Sequence, residues 1–320
     1  MPGRTGAGEA GAPPAEGVAV ACAGLTRDYG QGRGLFDLDL EIRRGEIFGF
    51  IGPNGAGKTT AIRLLMDLIR PDQGTATLLG LDARRDSLAS KRRVGYLPGE
   101  LPQFPGVSAG YVIGLLAGLR GGVEPDRIRA LADRLDLDLG RKFSDLSHGN
   151  KQKVGLVQAF MHEPDLLILD EPTLGLDPLM QREFRTLVEE SVAAGATVLL
   201  SSHVLSEVEL VCHRIGLIRA GRMLRVGSMA ELRTVRGHRI EAIVRGRLSL
   251  ADLAGIPGVT APQVRGDRVS CTLHGPIGPL LTWLQTGDVV ELDSRELSLE
   301  EVFLVELGPA SPPPQPGPGR

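Results

Sequence analysis

Residues 47–59 leave little choice of fold. The apolar run Ile47-Phe48-Gly49-Phe50-Ile51 stops at Gly52-Pro53-Asn54-Gly55-Ala56-Gly57-Lys58-Thr59, and a helical pattern begins at once. A strand must therefore enter a helix through a glycine-rich loop, and glycine lets the backbone turn tightly enough to aim successive N–H groups at one point. The spacing GxxxxGK[ST] in this context is a phosphate-cradling pattern, and the N-terminus of the following helix presents its positive end to the same anion. Gly52, Asn54, Gly55, Ala56, Gly57 and Thr60 would line the cradle. Lys58 would neutralise the β- and γ-phosphates of ATP, and Thr59 would place its hydroxyl on Mg2+. Ala61, Leu64, Leu65 and Leu68 follow at i, i+3, i+4 and i+7, which predicts a helix with one core face, ended by Pro71.

Around this loop, short β-branched runs at 18–25, 38–42, 47–51, 166–169 and 197–201 alternate with helical periodicity, the pattern of an α/β sheet. The interval between 51 and 166 is too long for a loop and is rich in helix, with candidates at 125–135 and 150–161, so it reads as an inserted helical subdomain at about 100–160. Beyond about 229 the pattern changes. Strand candidates at 240–244, 268–273 and 289–292 are separated by helical runs at 250–253 and 279–284, a small α+β unit of its own over 230–307. Residues 1–17 read as a disordered tail and 308–320 as a proline-rich one, flanking a main domain at 18–229.

Composition narrows the function classes. With 36 Lys+Arg against 39 Asp+Glu the net charge is −3, which gives no bias toward nucleic acid or an anionic surface. Cys22, Cys212 and Cys271 lie far apart without metal-ligand spacing, so three reduced core thiols are expected. The N-terminus lacks the apolar segment of a secretory signal, and the most apolar stretch, 110–119, is far short of the roughly 20 residues that span a bilayer. Any membrane span must come from another chain.

Two further sites carry chemistry. Leu166-Leu167-Ile168-Leu169-Asp170-Glu171 is a buried-strand run ending in two carboxylates, at the strand end where open α/β sheets bind ligands. Asp170 would hold Mg2+ and Glu171 would polarise the water attacking the γ-phosphate; a solvated Asp-Glu turn is the plainer alternative. His203 follows the run at 197–202. It reads either as a structural histidine or as a sensor of the γ-phosphate that positions Glu171 or the water.

These elements occur together with Leu146-Ser147-His148-Gly149-Asn150, and the set resembles the nucleotide-binding domain of ATP-binding-cassette (ABC) transporters over roughly residues 18–229. The resemblance implies a P-loop NTPase sheet with an inserted helical subdomain, cofactors ATP and Mg2+, and a homodimer. In that dimer Ser147, Gly149 and Asn150 of one subunit would reach the γ-phosphate held by the other. His148 and Asn150 stand where the commonest signature has Gly and Gln. Gly175-Leu176-Asp177 is similar to the loop that contacts the partner subunit. Tyr29 resembles the aromatic residue that stacks on adenine, a buried core tyrosine being the alternative. After Pro98 the family's Mg2+-binding glutamine is replaced by Gly99, leaving Glu100 as the nearest replacement ligand and Gln103 as the nearest glutamine. Residues 297–304 look like the C-terminal extension of export-type members, or else like an ordinary terminal amphipathic helix.

The function this implies is an ATPase that drives a separate integral-membrane permease, an exporter of drug-, antibiotic- or lipid-like molecules. It would sit in the cytoplasm on the inner face of the membrane, held there by the permease, with no nucleic acid expected. A soluble ABC-type ATPase acting on ribosomes or nucleic acid is the rival reading, and a P-loop kinase a weaker third.

Overall fold

Strands β1 (Val18–Asp28) and β2 (Gly34–Arg43) pair antiparallel, and Leu38, Leu40 and Ile42 alternate inward along β2 as a half-covered sheet requires. This is a computed structural model, and it describes residues 17–234, 237–246 and 248–297. The chain divides into two units, Met1–Met229 and Ala230–Arg320.

In the first unit, β3 (Ile47–Ile51) leads into α1 (Lys58–Leu65). Then come β4 (Gln73–Leu78) and β5 (Leu81–Asp82), which extend the antiparallel sheet to the order β2-β1-β4-β5. After α2 (Ser87–Arg92) and β6 (Val94–Leu97), the chain forms α3 (Ala109–Leu119), α4 (Pro125–Arg134) and α5 (His148–Phe160). It returns through β7 (Leu166–Asp170), α6 (Pro178–Ala193), β8 (Thr197–Ser202), α7 (Leu205–Glu209), β9 (Arg214–Arg219) and β10 (Arg222–Ser228). The second sheet has the order β10-β9-β3-β8-β7-β6 and is parallel except for the β9–β10 pair. Every residue of β3, β7 and β8 is buried, the signature of parallel strands covered on both faces. Each fully buried Leu, Ile or Phe there contributes about 1.5–3 kcal/mol, which fixes the strand ends that carry the polar groups.

Two expectations are corrected. The helix after the glycine loop stops at Leu65, and Leu68 is 53 % exposed rather than part of a core face. Asp67 takes a left-handed φ of 49°, and the N–H groups of Asp67 and Leu68 bond back to Leu64 O and Arg63 O, a Schellman stop that ends the helix well before Pro71. The interval from 51 to 166 also contains β4, β5 and β6: β4 is Gly- and Thr-containing and largely exposed, β5 has two residues, and β6 is four largely buried residues, so none shows a clear alternation.

A short helix, α8 (Met229–Thr234), crosses the division. The second unit follows as β11 (His238–Arg245), α9 (Leu250–Ala254), β12 (Val259–Arg265), β13 (Arg268–Leu273), α10 (Gly278–Leu284) and β14 (Asp288–Glu296). Its antiparallel sheet has the order β12-β13-β11-β14, and β12 was not foreseen. Ile240, Ala242, Val244, Val269 and Cys271 pack on Leu253, Leu280 and Leu284 of the two helices. The expected tails, apart from Gly17, and residues 298–304 lie outside the described residues.

All three cysteines are free and buried. Burial, with a smaller push from Asp39, raises the Cys22 thiol to about 12; burial and Glu46 raise Cys212, and burial raises Cys271 against the opposing pull of Arg239. Among the described residues no helix is long and apolar enough to cross a membrane.

Candidate functional site

The glycine loop is built where only glycine fits. Gly55 and Gly57 hold φ of 78° and 110°, and a Cβ on Gly52 would lie 2.2 Å from the Ile218 carbonyl oxygen. The loop delivers the chain to the N-terminus of α1, whose first N–H groups have no partner inside the helix. Lys58 is only 5 % exposed, and its Nζ donates to Gly52 O at 2.6 Å and to Pro53 O at 3.4 Å. The ammonium also lies 3.3 Å from Glu171 Oε1.

Because β8 lies between β3 and β7, it brings His203 and the acidic pair to the same edge as the loop. Asp170 is 1 % exposed. Its Oδ1 accepts from Ser201 Oγ at 2.5 Å, whereas its Oδ2 is buried without a hydrogen-bond partner. An anionic oxygen left unpaired in this way fits a hard cation. Among the described residues no group of three or more His, Cys, Asp or Glu side chains could hold a metal.

Glu171 sits at φ 50°, a left-handed conformation unusual for a side chain of its size. The surroundings hold it there. Its N–H donates to Ser201 O at 3.2 Å and Ser201 Oγ at 3.1 Å, and Gln152 Nε2 donates to the carbonyls of Glu171 at 3.0 Å and Pro172 at 3.2 Å. Its Oε2 lies 2.8 Å from His203 Nδ1. Glu171 is one of several non-glycine residues in this conformation, and what sets it apart is a carboxylate placed between a lysine and a histidine, a candidate chemical site. Ser201 and Gln152 escaped the sequence reading, although a serine closing an apolar strand run was a usable signal for the first. Tyr96 on β6 has its phenol pushed up to about 12, first by burial and then by Asp170.

A cleft of about 360 Å³ joins Tyr29, Arg33, Gly34, the loop from Asn54 to Thr60, and Glu171. Tyr29 is 46 % exposed, which sets aside the core alternative, and the Arg27 guanidinium lies 5.4 Å from its ring centre. Arg33 was not foreseen. Ser147, Gly149 and Asn150 do not line this cleft; they begin α5, where Ser147 Oγ accepts the Asn150 N–H at 3.3 Å. Gly149 packs against the Gly175 loop so closely that a Cβ would lie 2.4 Å from Gly175 O. Glu100 is exposed, and Gln103 accepts from Lys151 Nζ at 3.1 Å. Gly99 in this segment comes close to Asp170, since a Cβ there would lie 3.2 Å from Asp170 Oδ2.

Residues 35–174 match the profile of the ABC transporter family. The Nod factor export ATP-binding protein I of Cupriavidus pinatubonensis is 32% identical over 89% of this chain and 89% of its own length. The daunorubicin resistance ATP-binding protein DrrA3 of Streptomyces coeruleorubidus is 33% identical, over 90% of this chain and 95% of its own. The bacitracin transport ATP-binding protein BcrA of Enterococcus faecalis is 38% identical over 65% and 68%. A solved ATP-binding subunit of an ABC transporter superposes with TM-score 0.62 and 30% identity, covering 67% of this chain and 92% of that one. A dimeric bacterial ABC transporter cassette, at 22% identity and TM-score 0.60, shares the fold over 66% and 98%. These relatives are transport and resistance proteins, which leaves the ribosome-acting alternative without support. With the loop, the acidic pair and the histidine on one sheet edge, and about a third of the sequence shared along nearly the whole of two relatives, the chain belongs to the ABC transporter family, as one of its ATP-hydrolysing subunits.

Proposed function

We propose that this chain powers the export of a drug- or antibiotic-like molecule by closing, as a dimer around two MgATP, against a separate membrane permease. The observation that carries the chemistry is the Glu171 carboxylate, held in a left-handed turn between Lys58 Nζ and His203 Nδ1. Glu171 polarises the attacking water, His203 positions it, and Lys58 neutralises charge on the β- and γ-phosphates. Thr59 and Asp170 would hold Mg2+, Asp170 through the buried Oδ2 that lacks a hydrogen-bond partner. Two protein ligands would suit Mg2+, which would supply charge neutralisation at the phosphates. Glu100, exposed on the segment after Pro98, would be the further candidate ligand.

Ser147, Gly149 and Asn150 supply the other half of the site to the facing subunit, which their absence from the cleft of their own chain supports. That the cassette named above is dimeric supports pairing of two such chains. ATP then acts by its differential affinity for the closed dimer, and closure biases the permease. The roles of the relatives, in Nod factor export, bacitracin transport and daunorubicin resistance, support an exporter. The permease places the subunit on the inner face of the membrane.

Glu171→Gln should cut phosphate release at least about a hundredfold while ATP still binds, and should trap an ATP-dependent dimer visible by gel filtration. Normal turnover in that variant would remove Glu171 from the reaction.

A further inference from the structure

The contact between Glu171 and His203 joins two side chains on separate segments, one following β7 and one following β8, and neither the loop nor the metal site explains what sets their spacing. We infer that Glu207 on α7 is a positioning residue, a tie between the segment carrying His203 and the segment carrying Glu171. This inference rests on the hydrolytic reading of those two residues.

The connections are direct. The Thr173 hydroxyl donates to Glu207 Oε2, and Gln181 Nε2 of α6 reaches both Glu207 Oε1 and Leu176 O at 3.4 Å. Thr173 lies two residues beyond Glu171, in a turn closed by Leu174 N–H to Glu171 O at 3.2 Å and Leu176 N–H to Thr173 O at 3.0 Å. Glu207 lies four residues beyond His203, across a turn in which Ser202 Oγ accepts the Val204 N–H at 2.9 Å. One carboxylate therefore fixes three pieces of chain: the turn after β7, the Gly175-Leu176-Asp177 loop through Gln181, and the histidine segment. The site is lined by Thr173, Gln181, Phe184, Arg185 and Glu207 around a space of about 20 Å³, room for roughly one water, so the side chains have little slack. A carboxylate that accepts from two neutral donors is a strong orienting group, because charge-assisted hydrogen bonds are about twice as strong as neutral ones. His203 itself is exposed, so its aim at Glu171 depends on the segment that carries it.

The test uses the full chain and measures phosphate release beside ATP affinity, the latter with a fluorescent nucleotide. Glu207→Ala should lower kcat about 10- to 100-fold with ATP Kd within about twofold, since a shift of the order of 1 Å in a catalytic group has that effect. Thr173→Val should reproduce much of the loss and Thr173→Ser should restore it. The double variant Thr173→Val, Glu207→Ala should be no worse than Glu207→Ala alone, because both remove one connection. Unchanged kcat in Glu207→Ala, equal losses in kcat and ATP affinity, or multiplied losses in the double variant would each overturn the tie. Should Glu207→Ala fail to fold, the Thr173 pair decides alone. Glu171→Gln measured alongside separates the two levels: if it retains turnover, the hydrolytic reading falls and takes the tie with it, whereas an inactive Glu171→Gln beside a normal Glu207→Ala removes the tie alone.

Discussion

The carboxyl edge of the parallel sheet and the antiparallel sheet of the second unit both rest on buried Leu, Ile and Val, but they treat charge in opposite ways. At the first, Lys58 and Asp170 are almost wholly buried and Glu171 is held in a left-handed turn, all within reach of partners on other elements. In the second, Glu241, Arg268, Glu291 and Asp293 lie in the open, and β14 is exposed at every residue. Burying a charge is unfavourable unless a partner or ligand compensates it, so a fold retains such groups where they do chemistry. A sheet whose charges stay in water can serve packing and solubility without any site.

That contrast can be broken in three ways, in decreasing order of effect. Leu280 is fully buried in the second unit, and Leu280→Ala should cost that unit about 2–5 kcal/mol. Calorimetry should show its transition shifted while ATP affinity stays the same; a parallel loss of ATP binding would mean the two units do not divide the work. Lys58→Ala removes a charged donor from the phosphate cradle, which is worth about 1.5–3 kcal/mol, so ATP Kd should rise on the order of 10- to 150-fold in equilibrium binding. Unchanged affinity there would break the first half of the comparison.

The third and smallest effect is pH-dependent. His162 lies in the first unit with Nε2 2.8 Å from Arg120 Nη1 and 3.3 Å from Val94 O. Burial first, and Arg120 second, push its pKa down from 6.5 to about 4. The neutral ring accepts from Arg120, and the unfolded chain binds a proton that the folded one refuses. Its stabilising contribution is therefore complete above pH 6.5 and is lost as pH falls through 4. The melting temperature of the first unit should drop across that window, and His162→Asn should flatten the drop. An equally steep fall in the variant would assign the acid sensitivity to other groups.

Much of this was legible in the residues because it is local. A strand, a glycine loop and a helix that follow one another between 47 and 65 need no distant contact to be recognised, and the same holds for the apolar run that ends at Asp170 and Glu171. The end of α1 was misread for the opposite reason: periodicity extends through Leu68, but a left-handed Asp67 turns the chain first. Of the short strands, β4 was missed because an exposed Gly- and Thr-containing segment carries little alternation, β5 because it has two residues, and β6 because its four largely buried residues show no alternation at all.

The sequence by itself determined which side chains are the candidates for the chemistry, since the types and spacings around Lys58, Asp170 and His203 are properties of contiguous segments. Only the tertiary structure decided that they meet. Inserting β8 between β3 and β7 sets Ser201 against the Asp170 carboxylate and the Glu171 backbone N–H, and packing from α5 and α7 adds Gln152 at the Glu171 carbonyl and Glu207 against Thr173. Strand order comes from packing between distant segments, and no local pattern encodes it.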